Sequence, residues 1–169
     1  MNTNDSDIIA QPKPSAQPTY MTLGYLGLLP FALPLWVIVT ASLSERGVHS
    51  AAILGLYAPY AFIAYSACIL SFLAGSLWRD HIGSQGVGSV LLVSNLLALM
   101  AWVCLMVTQV SQLLTLLAIA VLMSGFLTLL WAEQATIAAD HNYTIMRFKL
   151  TALVVAMHMI LLACLLGDF

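Results

Sequence analysis

VGSVLLVSNLLALMAWVCLMVT, residues 87–108, carries no charged side chain along its whole length. A helix rising 1.5 Å per residue needs about 20 apolar residues to cross a hydrocarbon core of about 30 Å, and this stretch has them. Hydrocarbon offers no partner to backbone N–H and C=O groups, so a segment of this kind is a helix, which satisfies them internally. The segments of about ten alternating apolar and polar residues that mark a transmembrane barrel are missing.

Four more long apolar stretches lie around it, at about 22–43, 51–78, 111–131 and 148–166, with Lys149 at the start of the last the one charge among them. The expected fold is therefore all-α: an integral membrane bundle of five transmembrane helices occupying residues 22–166. Composition agrees. Of 169 residues, 62% are hydrophobic and 7% charged, against roughly 45–50% and a quarter in soluble domains. A formal net charge of −2 leaves no basic surface for nucleic acid, which requires clustered Lys and Arg. The lipid bilayer is the partner the composition demands.

Residues 1–21 are rich in Pro, Gln, Ser and Asn and read as a disordered polar tail; residues 167–169 read as a short C-terminal tail. With five crossings, Lys13, Arg79, Arg147 and Lys149 share one side and Arg46 has the other. Positive residues favour the cytoplasmic face. The N-terminus is expected inside, the C-terminus outside, and the first segment is read as a retained helix rather than a cleaved signal.

Four stretches recur in a recognisable order: Gly24-Tyr25-Leu26-Gly27-Leu28-Leu29-Pro30-Phe31, Ser71-Phe72-Leu73-Ala74-Gly75-Ser76-Leu77-Trp78, Gly125-Phe126-Leu127-Thr128-Leu129-Leu130-Trp131, and Tyr143-Thr144-Ile145-Met146-Arg147-Phe148-Lys149-Leu150-Thr151. In that order and at those separations the chain resembles the uncharacterised membrane family called domain of unknown function 3429, which includes the mitochondrial transmembrane protein 69 group. The resemblance implies five helices in a bacterial plasma (inner) membrane or a mitochondrial inner membrane. It implies no reaction.

Small residues four apart let helix backbones approach closely in lipid. Such rows are Ala67, Ser71 and Gly75 in the second segment and Ala120, Ser124 and Thr128 in the fourth, with Ala152 and Ala156 in the fifth. They are expected to pack the bundle internally or to form a homo-oligomer or partner interface. Pro30 and Pro34 each remove a donor and clash with the carbonyl four residues back, so the first helix should kink. Kinked helices line cavities in some transporters and are also ordinary bundle parts.

Two strongly polar residues fall near the middle of their segments, Asn95 and His158. An unpartnered amide or imidazole is expensive in hydrocarbon, so both are expected to face the interior as a candidate pair. His158 reads either as a satisfied, neutral packing residue or as a proton relay. Trp78, Arg79, Tyr143, Arg147 and Lys149 fall where a cytoplasmic interface belongs and are expected to anchor helices against headgroups.

Other chemistry is thin. Cys68, Cys104 and Cys164 share no ligand-like spacing and read as small buried hydrophobes. Asp80-His81 and Asp140-His141, with Glu133 nearby, have no metal-binding frame. No metal, cofactor or catalytic residue is expected, and no nucleophile stands at a readable distance from a base. The functional expectation is an accessory or assembly factor acting by helix association with a membrane complex, without enzyme activity. The alternatives are a small solute or proton transporter or channel built on Asn95 and His158, and a lipid or quinone binder.

Overall fold

The computed structural model describes residues 17–44, 47–81, 88–136 and 141–167. Among them are six α-helices: α1 Gln17–Leu26, α2 Leu29–Leu43, α3 Ala58–His81, α4 Gly88–Val107, α5 Gln112–Thr136 and α6 His141–Gly167. Five stretches are long and apolar enough to cross a membrane: Met21–Leu43, which combines most of α1 with α2, then Ala58–Leu77, Gly88–Val107, Gln112–Ala135 and His141–Gly167.

The helices differ from the sequence reading where hydropathy is a poor guide. Gln17 to Met21 is helical although its composition is that of the tail; residues 1–16, 168 and 169 lie outside the described residues. Ala51 does not begin the second span. Residues 51–57 instead hold a small antiparallel hairpin, β1 Ala52–Ile53 paired with β2 Leu56–Tyr57, in the register Ala52 to Tyr57 and Ile53 to Leu56. Its turn places Leu54 at φ 51° and Gly55 at φ 80°, the two positive values of a type I′ turn. Glycine adopts this freely, whereas Leu54 is held there by the strand pairing on both sides. The fifth span begins at His141, seven residues ahead of the expected 148.

The first span breaks rather than bends. Phe31 N–H donates to Leu28 O at 3.1 Å, and Ala32 N–H donates to the same oxygen at 2.9 Å. Pro30 lies in the first turn of α2, where its missing N–H costs little and its fixed φ suits the helix start. It therefore starts a helix instead of kinking one. Pro34 is inside α2 and buried. The tightened turn releases Gly27 O, and Tyr65 O–H from α3 donates to it at 2.9 Å.

α3 packs against α2, α4 and α5, and α6 closes the bundle against α2 and α5. Phe31, Ile38, Phe62, Ile63, Leu70, Leu77, Ile119, Leu122, Leu129, Leu161 and Leu165 are fully buried. In lipid, such contacts stabilise through packing, because burial itself gains nothing over the lipid-exposed state. Close approach is seen at Gly125 of α5: a Cβ there would lie 2.7 Å from Leu70 Cδ2 and from Met100 Cε. Ser94 O–H of α4 donates to Ala74 O of α3 at 2.6 Å, tying the most extensive helix pair.

Candidate functional site

Of the three expected small-residue rows, none is wholly internal. Ala67 is buried and Ser71 half-buried, but Gly75 is exposed and a Cβ on it would meet nothing within 4 Å. Ala120 is half-buried, while Ser124 and Thr128 face outward, as do Ala152 and Ala156. The hydroxyls of Ser124 and Thr128 are held by their own helix, on Val121 O at 2.7 Å and Ser124 O at 2.9 Å. The side of α5 that enters the core carries Ala118, Leu122, Gly125 and Leu129 instead. Both faces of these helices are apolar, so the spacing of small residues does not say which one turns inward.

At the centre of the bundle lies His158, fully buried. Its Nδ1 is 2.8 Å from Val154 O, and a carbonyl only accepts, so Nδ1 carries a proton. Nε2 is 2.8 Å from the Oγ of Ser66 on α3. A neutral imidazole then has Nε2 free to accept, and the Ser66 hydroxyl donates to it. Around the ring stand Phe62, edge-on with centroids 4.9 Å apart, Phe126 at 5.7 Å and Phe31 at 6.1 Å. Four helices thus meet at one polar contact inside an aromatic shell.

The expected partner is wrong. Asn95 lies on the exposed face of α4, opposite the buried row of Ser94, Leu97, Ala101 and Cys104. Ser66 supplies the bond, 92 residues away in sequence, and nothing in the chain marks this serine out from others in the spans. A hydroxyl donating to an imidazole nitrogen is the arrangement of a nucleophile and its base. Here Ser66 and His158 are both 0% exposed, shut off from the surface by the described residues around them. The geometry is that of a closed clasp joining α3 to α6.

A second polar contact lies nearer the ends of α5 and α6. Arg147 Nε donates to Glu133 Oε2 at 2.9 Å and Nη2 donates to Oε1, a two-pronged pair with both residues buried. Planar guanidinium and carboxylate fit each other in this way. Arg147 is therefore not a headgroup anchor, because its charge is already spent on Glu133. Tyr143 is half-buried and Lys149 exposed. The side chains of Trp78 and Arg79 lie outside the described residues, as do those of Asp80 and His81 and all of Asp140.

Between α1, α2, α3 and α6 runs a cavity of about 160 Å³. Gly24, Gly27, Phe31, Phe72, Leu150 and Arg147 are among the residues that line it, and neither Ser66 nor His158 is. Phe31 and Phe126 belong to the walls of both the cavity and the aromatic shell. Of the cysteines, Cys104 is buried, Cys164 half-buried and Cys68 exposed, so Cys68 is not the buried hydrophobe the sequence suggested.

Five apolar spans, four of which meet at an interior histidine, define a helical, multi-pass membrane protein. The chain belongs to the family described as Protein of unknown function (DUF3429), whose model matches residues 16–163. No curated protein and no solved structure matches it.

Proposed function

We propose that the protein is an accessory or assembly factor of a bacterial plasma (inner) membrane complex, with its N-terminus cytoplasmic, and that it acts by helix association rather than by transport or catalysis. The observation that carries this reading is the direction of the small residues. Ser124 and Thr128 on α5 and Ala152 and Ala156 on α6 face out of the bundle, where they do nothing for its own packing and leave room for a foreign helix to approach closely. The transporter alternative loses support, since Asn95 and His158 do not share a path.

The test is purification of the full chain from native membranes in mild detergent. A stoichiometric membrane partner is expected, and S124L/T128L should lose it while keeping the same melting temperature. Proton or solute flux by the purified protein in liposomes, with no partner captured, would replace this reading by the transporter.

The cavity favours a second reading, a lipid binder. Its walls are apolar apart from Arg147 and Thr151, and Gly24 and Gly27 present no side chains to it; at about 160 Å³ it is smaller than the roughly 300–1,000 Å³ of a pocket that encloses a whole ligand, so it would take one end of an acyl tail. A lipid retained by wild type and lost from G24L in native mass spectra supports this.

A further inference from the structure

The outward face of α4 points to a second copy of this chain. Gly88, Leu92, Asn95, Leu99, Trp102 and Met106 are all exposed. Their spacing alternates four and three residues, which is the repeat of a coiled-coil seam. The row covers about 27 Å of helix at 1.5 Å per residue, nearly the full hydrocarbon core. It lies opposite the buried row of α4, and the described residues leave it exposed.

Asn95 indicates what covers it. The residue lies roughly 4 Å from the helix midpoint at 1.5 Å per residue, where an amide without a partner is costly. Its side chain makes no hydrogen bond to any described residue, while the outward hydroxyls of Thr40, Ser124 and Thr128 are all satisfied by their own helices. The other exposed amides in the described helices, Gln134 and Asn142, lie in a last and a first turn. Among the described amides whose exposure is known, Asn95 alone is stranded at depth.

We infer that two copies pack α4 against α4 about a twofold axis along the membrane normal, with the two Asn95 amides bonded to each other. An amide is self-complementary, offering one acceptor and two donors. Copies inserted with the same orientation hold their Asn95 residues at the same depth, so the match needs no other tuning. A foreign helix would require its own polar group at that level. The 3.5-residue repeat gives a left-handed crossing near +20°. This interface is distinct from the faces of α5 and α6 on which the accessory reading rests, so either can fail alone.

The experiment uses the full chain, labelled near its N-terminus with donor or acceptor, in phosphatidylethanolamine and phosphatidylglycerol liposomes, with energy transfer followed as lipid dilutes protein. Wild type should dimerise. N95L should dissociate at about three- to fifteen-fold higher protein density, with an unchanged melting temperature at dilutions where both proteins are monomeric, because its side chain is outside the core, and N95Q should keep most of the affinity. Placed in a background lacking the three native cysteines, L99C should cross-link on oxidation while L117C on the exposed face of α5 does not. A monomeric wild type, a dimer indifferent to N95L, or faster cross-linking through L117C would each overturn the inference.

Discussion

Removing the imidazole at position 158 tests the clasp at the centre of the bundle. H158A takes away the acceptor of the Ser66 hydroxyl and the edge-on contact with Phe62. A buried hydroxyl left without its partner costs about 1–3 kcal/mol, and an aromatic contact of this geometry adds about 0.5–1.5 kcal/mol. A loss of about 2–4 kcal/mol is therefore expected for H158A. Val154 O is spared, since it still receives the helical N–H of residue 158. S66A leaves Nε2 unpaired in a dry shell and should cost about 1–3 kcal/mol. The two losses should not add, and a coupling of about 1 kcal/mol is expected, within the range of interhelical polar bonds in lipid. S66A/H158L, which leaves no unpaired polar side chain at the site, should be milder than H158A. Unfolding in mixed micelles titrated with a denaturing detergent, followed by tryptophan fluorescence, measures these three and the double variant S66A/H158A. Additivity of S66A and H158A within about 0.3 kcal/mol would refute a direct Ser66 to His158 bond.

The other predictions concern charge, packing and topology. E133A or R147A alone should cost about 3–5 kcal/mol, because each strands a buried charge, while E133M/R147M should be far milder in the same unfolding assay. G125L should lower the melting temperature sharply, by forcing Leu70 and Met100 aside, and G75L should leave it nearly unchanged; equal melting of the two variants would dismiss α5 as the close-approach helix. Alkaline phosphatase fused after Phe169 should be active if the basic residues set the orientation; a fluorescent cytoplasmic reporter at the same site, with an inactive phosphatase, would reverse it.

Span number was legible because uncharged length is a local property. Boundaries were less so. Residues 51–57 are apolar enough to pass for helix, and only the positive φ of Leu54 and Gly55 turns them into a hairpin. The fifth span starts ahead of residue 148 and takes in Arg147, which is paired with a glutamate 14 residues earlier, a pairing invisible to hydropathy. Which side of each helix turns inward was illegible for a different reason. A soluble helix shows its buried side by contrast with a polar one, and these spans lack that contrast, so Ser124 and Gly125 look alike until their neighbours are known. Asn95 and His158 were recognised as exceptional residues, and only the three-dimensional packing separates the one facing out from the one facing in.

The ion pair between Glu133 and Arg147 also bears on how the chain enters its membrane. An arginine or an acidic residue presented singly at the centre of a span raises the insertion free energy by about 2.5–3.5 kcal/mol, and less toward the ends. These two sit on consecutive helices, Glu133 one turn before the end of α5 and Arg147 six residues after the start of α6. Each span is thus the other's counterion. Packed together, the last two spans present no net charge from these two residues, so the pair sits in lipid at lower cost than either span would alone.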